Sequence, residues 1–540
     1  TARGARQRAA ARRAVLAFLE EKPGDGDTRD AIAILDAHWR RGLPPREELA
    51  VARIAAANGQ PARAAAGYGR AARRAGLAPA DRLAYARILA RLRRRAAAAR
   101  QLALIRRPSP YAPVASYERA RLLVARRQYR PATKALRAVV KAYPKDTVAA
   151  LALFELAELA SERGRDRAAR DAYLTIVRRY PEASVAPRAA FEAALLAVAR
   201  RRHQAAALEL DSLVTRWPAS AEVEAASYWS ARAWRAVGDT AKARERWAAI
   251  VGRDPRSYYG VLSARRLGVA PWAPSVPYTP ARAIAGIFLD GIADTTVGRL
   301  PAVEGAMARA DRLEVLGFPL EARLERESVT AANVPTETML AAGAGLLRRG
   351  HPRQAMEVGR RLVERGDGDV RSYRLLFPVP HLELITAEAA AHGVDPTLVA
   401  AVIRQESSFE PRATSSAGAR GLMQMMPRVA RRIARAEDID GWTPALLYRP
   451  DANVRMGVTH LKAFTTHYDH PARALAAYNA GSGRVARWSR FPGARDAELF
   501  VERIPFPETR GYVRTVMRNW EMYRVLYVWE RRGGENRADD

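Results

Sequence analysis

The sequence predicts an all-α protein in which an N-terminal α-solenoid precedes a helical middle part and an α-rich C-terminal part. Three observations predict this fold class. The first half repeats helix-sized segments every 37 residues, apolar residues recur at helical spacing, and the composition changes after Phe377. The 540 residues suffice for three or four domains, at roughly 150 residues each.

The 37-residue repeat is marked by prolines. Pro144, Pro181, Pro218 and Pro255 each follow an aromatic residue or Asp. Proline stops a helix because it cannot continue the hydrogen-bond ladder, so each interval predicts a helical hairpin. The repeated positions are a small residue (Ala132, Ala169, Ala206, Ala243) and bulky ones after it (Leu136, Tyr173, Leu210, Trp247; Val139, Ile176, Leu213, Ile250; Val140, Val177, Val214, Val251). Stacked hairpins of this length resemble tetratricopeptide repeats.

Two proline-containing junctions interrupt the helical pattern. The first, from Gly268 to Pro277, contains several prolines and predicts a linker. Residues 280–376 return to a helix-like pattern without the repeat, and Phe377-Pro-Val-Pro380 forms the second junction. Met, Tyr, Asn and Gly cluster in short motifs after it, so we expect the chemistry there.

Composition narrows the function classes. The net charge of +33 predicts attraction to anionic polymers, namely nucleic acid, anionic membrane or acidic cell-wall glycan. The cysteine count of 0 excludes disulfides, thiolate nucleophiles and Cys-ligated metals. Charged residues interrupt every apolar run, so no membrane span is expected. The first residues include no initiator Met and no apolar segment, so we expect any secretion signal to lie outside the given sequence.

Glu406 is the candidate catalytic residue. Asp395 and Pro396 predict a helix start, and the helix should run through Phe409 and end near Pro411. Glu406 falls on the apolar stripe of that helix, in its last turn. Burial and the negative helix end both raise a carboxyl pKa, which suits a general acid that protonates a leaving oxygen. The alternative is a Glu that pairs with an Arg in a structural network.

Three further motifs follow in the chain. Ser415 begins a loop that leads into Gly421-Leu-Met-Gln-Met-Met-Pro427, where Gln424 lies among methionines. Gln can bond sugar groups and Met can line a groove, although a Met stripe is more often core. The other candidate residues are Tyr478 and Asn479, beside a glycine turn, and Glu508, Arg510 and Tyr512.

These motifs resemble the goose-type-lysozyme-like catalytic domain of the soluble lytic transglycosylases, which cut bacterial peptidoglycan. Gln405-Glu-Ser, Gly-Leu-Met-Gln-x-Met-Pro, Ala-Tyr-Asn-Ala-Gly and Ile-Pro-Phe-x-Glu-Thr-Arg-x-Tyr occur in the family's order over about 105 residues. Ser257 to Gly268 also resembles the close of the family's U-shaped domain. The resemblance implies a U-shaped superhelix (1–269), a helical linker domain (270–376) and a lysozyme-like catalytic domain (377–540).

The resemblance also implies residue roles. Glu406 would protonate the oxygen between N-acetylmuramic acid and N-acetylglucosamine, then accept the proton of the muramoyl O6 hydroxyl as a 1,6-anhydro ring closes. The muramoyl acetamide would assist, and no cofactor, metal or second catalytic carboxylate would be needed. The stretch to Trp442 offers Glu410, Glu437, Asp438 and Asp440, none with a family role as nucleophile. Implied substrate-binding residues are Ser415, Gln424, Met426, Tyr478, Asn479, Glu508, Arg510 and Tyr512, the last three alternatively forming a structural network.

By the same resemblance we expect a periplasmic monomer that acts on peptidoglycan strands and contacts cell-wall synthesis proteins, with no nucleic-acid partner. Two other functions stay open: a hydrolytic muramidase that uses water, and a non-catalytic basic α-solenoid that binds nucleic acid. His460, His467 and His470 have spacing that could place them on one side of a helix, but no His-Glu-x-x-His motif is present, so surface or core histidines are the favoured interpretation.

Overall fold

The computed structural model describes residues 2–39, 43–269, 300–331 and 333–527. These residues form 28 α-helices and no β-strand, with isolated β-bridges that join Arg420 to Thr414 and Met425. The all-α prediction is therefore confirmed. Two compact units divide the chain, Thr1–Ala193 and Ala194–Asp540.

The first fifteen helices cover the predicted solenoid. They are α1 (Ala2–Glu21), α2 (Thr28–His38), α3 (Pro45–Ala57), α4 (Pro61–Ala75), α5 (Pro79–Arg91), α6 (Arg95–Ala103), α7 (Ala112–Ala125), α8 (Tyr129–Ala142), α9 (Thr147–Ser161), α10 (Asp166–Arg179), α11 (Ala186–Ala199), α12 (His203–Arg216), α13 (Val223–Val237), α14 (Thr240–Arg253) and α15 (Tyr258–Leu267).

Helices α8, α10, α12 and α14 confirm the repeat. Each ends two residues before the marker proline, so the residue before the proline is the C-cap. The repeated alanines and the bulky residues four and seven positions later are buried. The valines that follow are only partly buried, because they lie at the edge of the packed face.

The turns inside the hairpins repeat as well. Arg127, Gly164, Arg201 and Gly238 all have positive φ values, between 58° and 106°, and they recur at the same interval of the sequence. Each follows the first helix of a hairpin, where a left-handed residue reverses the chain.

The remaining helices lie in the second compact unit. Its middle part contains α16 (Pro301–Val315), α17 (Pro319–Ser328), α18 (Thr336–Arg348), α19 (Pro352–Glu364) and α20 (Val370–Leu376). Then follow α21 (Leu382–His392), α22 (Pro396–Ser407), α23 (Pro427–Ala436), α24 (Pro450–His467), α25 (Pro471–Ala480), α26 (Ser482–Trp488), α27 (Ala497–Glu502) and α28 (Pro507–Tyr527), with a 3-10 helix at Pro444–Tyr448.

The structure describes only one of the two predicted proline-containing junctions in full. The predicted linker lies outside the described residues, apart from Gly268 and Val269. The second junction separates α20 from α21, as the prolines predict. One hydrophobic cluster is formed by residues between Val303 and Leu375, and a larger one by residues between Tyr373 and Tyr527.

Helices α13 and α15 contact α27 and α28 through polar groups, and most of these contacts are partly or fully buried. Acidic side chains on α27 and α28 accept hydrogen bonds from phenols and guanidiniums on α13 and α15. The pairs are Tyr228–Glu498 (2.6 Å), Arg232–Glu498 (2.9 Å), Arg266–Glu498 (2.7 Å), Tyr259–Glu502 (2.7 Å) and Arg265–Glu521. The end of the helical repeats and the last helices of the chain therefore form one polar interface.

Candidate active site

Helix α22 carries Glu406. Its start is fixed as the sequence predicts, because the Asp395 carboxylate accepts the Thr397 N–H at 2.8 Å and Pro396 occupies the first turn. Val399, Val402 and Ile403 are fully buried on the face that leads to Glu406. Helix α22 packs against α28, so the Glu406 carboxyl group lies beside the packed interface of these two helices.

The end of α22 differs from the prediction. The helix stops at Ser407, two residues before Phe409, because Ser408 and Phe409 take left-handed φ values of 55° and 62°. Two consecutive non-glycine residues in this region cost roughly 1–2 kcal/mol each. The turn is held by the Phe409 side chain, which is only 1% exposed, and by the Ser407 hydroxyl, which donates to Leu422 O at 2.8 Å. The backbone is therefore strained at the two residues that follow Ser407, immediately after Glu406 in the chain.

Glu406 itself is half-buried, and burial raises its pKa to about 7. A hydrogen-bonding interaction with Tyr512 acts in the opposite direction and lowers that pKa. No arginine, lysine or second carboxylate among the described residues contributes to the shift. No ion pair between Glu406 and an arginine is found among the described residues, and a carboxyl group with this pKa can both give and take a proton near neutral pH.

Two tyrosines face Glu406. Burial and the nearby Glu406 carboxylate raise the pKa values of Tyr478 and Tyr512 well above the ordinary value. The Tyr478 hydroxyl donates to Met423 O at 2.8 Å. The Tyr512 hydroxyl is buried without a full hydrogen bond to any described group, so its interaction with Glu406 is a longer one. Such contacts in free enzymes tighten when substrate binds.

The loop from Gly421 to Met426 is fixed by a residue that the sequence offered no reason to select. Asn453 is fully buried on α24, accepts the Met423 N–H at 2.8 Å, and donates to Arg420 O and Leu447 O at 2.9 and 2.8 Å. All three bonds go to backbone atoms of this loop or the 3-10 helix. Met423 and Arg420 lie 30 and 33 residues earlier in the chain, so no local pattern signals the role.

Gly421 could not carry a side chain. Its φ is +76°, and a Cβ atom would lie 2.0 Å from Leu447 O and 2.2 Å from Asn453 Nδ2. This close approach lets Asn453 reach the loop.

The structure shows what the other residues of this loop contact. Ser415 closes a tight turn, since its hydroxyl accepts the Ala419 N–H at 3.0 Å. Gln424 has a left-handed φ of 48°, and its amide nitrogen donates to Ala413 O and Gly421 O at 3.2 and 3.0 Å. Met426 is 40% exposed at the start of α23, so its thioether is accessible to a ligand.

The last group of candidate residues divides. Tyr512 lies with Glu406, whereas Glu508 is exposed. The Arg510 guanidinium donates to Glu502 O and Ile504 O at 3.1 and 3.2 Å, which are structural contacts. Asn479 is exposed, and its side-chain carbonyl accepts the Thr509 hydroxyl at 2.7 Å, which joins α25 to α28.

The three histidines do not form a cluster of ligands. His470 caps α25 by accepting the Ala472 N–H at 3.1 Å, while His460 packs against Phe464 and Tyr478. Burial lowers the His460 pKa to about 4, so the ring is neutral and helps to hold Tyr478. Within the described ranges, no group of three His, Cys, Asp or Glu side chains is arranged to bind a metal.

The fold is all-α, and its site has a half-buried glutamic acid at a strained helix end beside two phenols. This arrangement is typical of proteins that carry out acid–base chemistry. Residues 383–501 match the family model of the transglycosylase SLT domain. The predicted resemblance of the C-terminal region to the soluble lytic transglycosylase family is therefore confirmed.

Curated relatives are similar over 151 and 153 residues. A soluble lytic murein transglycosylase of Salmonella typhimurium is 37% identical over 151 residues, which are 27% of this chain and 23% of that protein. The protein of the same name from Escherichia coli K12 is 36% identical over 153 residues, 28% of this chain and 24% of that protein. The chain thus spans about a quarter of the length of these relatives.

Solved structures match over nearly the whole chain. The lytic transglycosylase Slt of Pseudomonas aeruginosa, in an inactive mutant, matches with a TM-score of 0.60 and 20% identity, covering 96% of this chain and 90% of that one. The 70 kDa soluble lytic transglycosylase of Escherichia coli matches with a TM-score of 0.58 and 20% identity, covering 96% and 87%. These matches confirm the predicted fold of a helical superhelix with a lysozyme-like domain.

Proposed function

We propose that this chain is a lytic transglycosylase that cleaves the β-1,4 bond between N-acetylmuramic acid and N-acetylglucosamine of peptidoglycan without water. The observation that carries the proposal is Glu406, a single carboxyl group with a pKa of about 7 and no second described carboxylate acting on it. The match of residues 383–501 to the SLT domain supports the same reaction.

In the first step Glu406 acts as an acid. Its proton passes to the bridging oxygen, the bond from that oxygen to muramoyl C1 breaks, and the electron pair leaves with the N-acetylglucosamine O4. The muramoyl acetamide stabilises the cationic centre. Burial keeps enough of the Glu406 carboxyl protonated at neutral pH for this step.

In the second step the same residue acts as a base. The Glu406 carboxylate takes the proton of the muramoyl O6 hydroxyl while O6 bonds to C1, which closes the 1,6-anhydro ring and restores the acid. A nucleophile within the same sugar has a high effective concentration, so the reaction requires no activated water and no cofactor. A water-using muramidase, by contrast, usually has a second carboxylate.

The substrate-binding roles are part of the proposal. Tyr478 and Tyr512 lie nearest to Glu406 and would orient the reacting sugar. Met426 and the free side-chain oxygen of Gln424 would line the saccharide subsites with Ser415, and Asn479 and Glu508 would contact the sugar from the α28 side. Arg510 would act through the backbone that it binds.

We further propose the division into domains 1–269, 270–376 and 377–540, and action as a monomer in the periplasm. One hydrophobic cluster lies wholly before residue 376, and the other lies after it except for Tyr373, which supports the second boundary. No described helix is long and apolar enough to cross a membrane. The net charge of +33 suits a glycan whose peptide carboxylates are anionic, and cell-wall synthesis proteins are the proposed partners.

The test is a mass-spectrometric digest of purified peptidoglycan by the wild-type chain and Glu406→Gln. The proposal expects fragments that end in 1,6-anhydromuramic acid, absent with the variant. Reducing muramic acid ends would instead identify a hydrolytic muramidase. If neither protein releases fragments and both retain nucleic acid in a salt-dependent way, the basic solenoid would be the better interpretation.

A further inference from the structure

A cavity separate from Glu406 lies between the α11–α12 turn and the loop before α27. Its volume is about 530 Å³, within the range of roughly 300–1,000 Å³ that is usual for small-ligand sites. One wall is formed by Val198, Ala199, Arg201 and His203 and the other by residues 489–496, and Arg232 also lines the cavity.

The lining of this cavity is strongly basic. Arg201, Arg490 and Arg495 are exposed and make no ion pair with any described residue. Arg232 is paired with Asp496, the only acidic residue of the lining. Three guanidiniums are therefore left without a counter-ion around one cavity, and a guanidinium binds carboxylates through two parallel hydrogen bonds.

The loop that forms the second wall is held rigidly. Buried Arg473 donates to Ala494 O at 2.6 Å, and buried Arg503 donates to Pro492 O at 2.6 Å. A Cβ atom on Gly493 would lie 3.2 Å from Ala199 Cα, so the loop sits directly against the end of α11. The cavity is thus formed before any ligand arrives, which lowers the cost of binding.

One buried polar atom in the lining lacks a partner. Nδ1 of His203 is buried without a hydrogen bond, and burial together with Arg201 and Arg232 lowers the His203 pKa. His203 is also the first residue of α12, whose N-terminal end is electropositive. Val198, Phe491 and Leu499 add apolar surface beside these polar groups.

We propose that this cavity binds a short acidic peptide, with the carboxylates on Arg201, Arg490 and Arg495 and apolar parts of the peptide against Val198, Phe491 and Leu499. Apolar walls and an imidazole beside the guanidiniums suit a peptide better than a bare phosphate, which would need charge and donors alone. The site stands independently of the proposed function, although peptidoglycan stem peptides would be one source of such a ligand.

The experiment measures binding of the tetrapeptide Ala-Glu-Glu-Ala to the full chain by isothermal titration calorimetry. Because no glycan is present, the result does not depend on transglycosylase activity. The test variant combines Arg201→Gly, which suits the left-handed φ of 58°, with Arg490→Ala. The matched control combines Arg200→Ala with Arg487→Ala, which are exposed neighbours outside the cavity lining.

We expect the test variant to bind the peptide much more weakly than wild type. Each of its two substitutions removes a charge-assisted hydrogen bond to the peptide and should cost about tenfold or more in affinity. The control should stay within about twofold of wild type. Equal weakening by both variants would overturn the proposal in favour of general charge attraction. Equal binding of the uncharged peptide Ala-Gln-Gln-Ala amide, tighter binding of inorganic phosphate, or no binding to the wild-type chain would also overturn it. Thermal melts of both variants establish that they are folded.

Discussion

Glu406 and Glu502 are two glutamates in the same compact unit with opposite surroundings. Glu502 is 1% exposed, accepts the Tyr259 hydroxyl at 2.7 Å and is paired with Arg514. Among the described residues, the phenols of Tyr478 and Tyr512 interact with Glu406, and no cation contributes to its pKa shift. The comparison teaches that a counter-ion makes a buried carboxylate structural, whereas its absence leaves a carboxyl group able to exchange protons.

The largest effect is expected from Glu406→Gln, because the amide cannot donate a proton in acid catalysis. Release of fragments from peptidoglycan should fall by roughly 10²–10⁴-fold, measured as initial rate at pH 6. Glu410→Gln, an exposed change four residues on, is the control and should retain the wild-type rate. A Glu406→Gln rate within a few-fold of wild type would exclude Glu406 as the acid.

Glu502→Gln should remove the ion pair that makes Glu502 a structural carboxylate. It leaves the buried Arg514 guanidinium without a counter-charge, so the free energy of unfolding should fall by about 3 kcal/mol in chemical denaturation. Glu245→Gln, on the exposed side of α14, should change it by less than about 0.5 kcal/mol. Similar values for the two variants would show that the Glu502 pair adds nothing beyond a surface charge.

Asn453→Ala should separate loop position from proton chemistry. The change leaves Met423 N–H and Leu447 O without this side-chain partner and removes one of two hydrogen bonds to Arg420 O, at a cost of about 2–3 kcal/mol in unfolding free energy. Fragment release should fall as well, but the pH at which it is half-maximal should stay fixed, because Asn453 does not act on Glu406. A shifted midpoint would show direct coupling, and Ser416→Ala on the exposed loop is the control.

The contribution of Glu406 to the free energy of unfolding should depend on pH. The Glu406 pKa is raised to about 7 in the folded chain, so the proton is bound more tightly there than in the unfolded chain. The stability from this group is complete at pH values below about 4.5 and is lost as the pH rises through 7. The difference in melting temperature between wild type and Glu406→Gln should therefore change in favour of the variant from pH 5 to pH 8. A constant difference would contradict the raised pKa.

The smallest effect is expected from Tyr512→Phe. The Tyr512 hydroxyl lowers the Glu406 pKa, so its removal should raise that pKa and move the alkaline limb of the activity profile to higher pH. Stability should change little, because the hydroxyl that is removed makes no full hydrogen bond. A limb that moves to lower pH would show that the two groups do not interact in this way.

The sequence predicted those parts of the fold that depend on local pattern. The prolines after α8, α10, α12 and α14 located the helix ends, and the apolar stripe located Glu406, since both signals lie within a few residues. The position of Arg127 and Arg201 in left-handed turns was not readable, because arginine has no preference for that conformation.

Contacts between distant segments were not predictable either. Asn453 acts on a loop about 30 residues earlier, and Arg510 binds backbone carbonyls, although the family resemblance implied contact with substrate. The early end of α22 depends on the burial of Phe409, which only the tertiary packing reveals. Which tyrosines accompany Glu406 came from the family resemblance, since no spacing rule joins α22, α25 and α28.

The polar interface between α13, α15 and the last two helices has a practical consequence for dissecting this protein. A fragment cut at residue 377 would keep Glu498, Glu502 and Glu521 but lose the phenols and guanidiniums of α13 and α15 that bind them, while Arg514 would stay paired with Glu502. Such a fragment would present an acidic surface where the intact chain has a satisfied interface, and we expect it to be less stable and prone to aggregate. A shorter version for biochemical work should retain the chain from α13 onward.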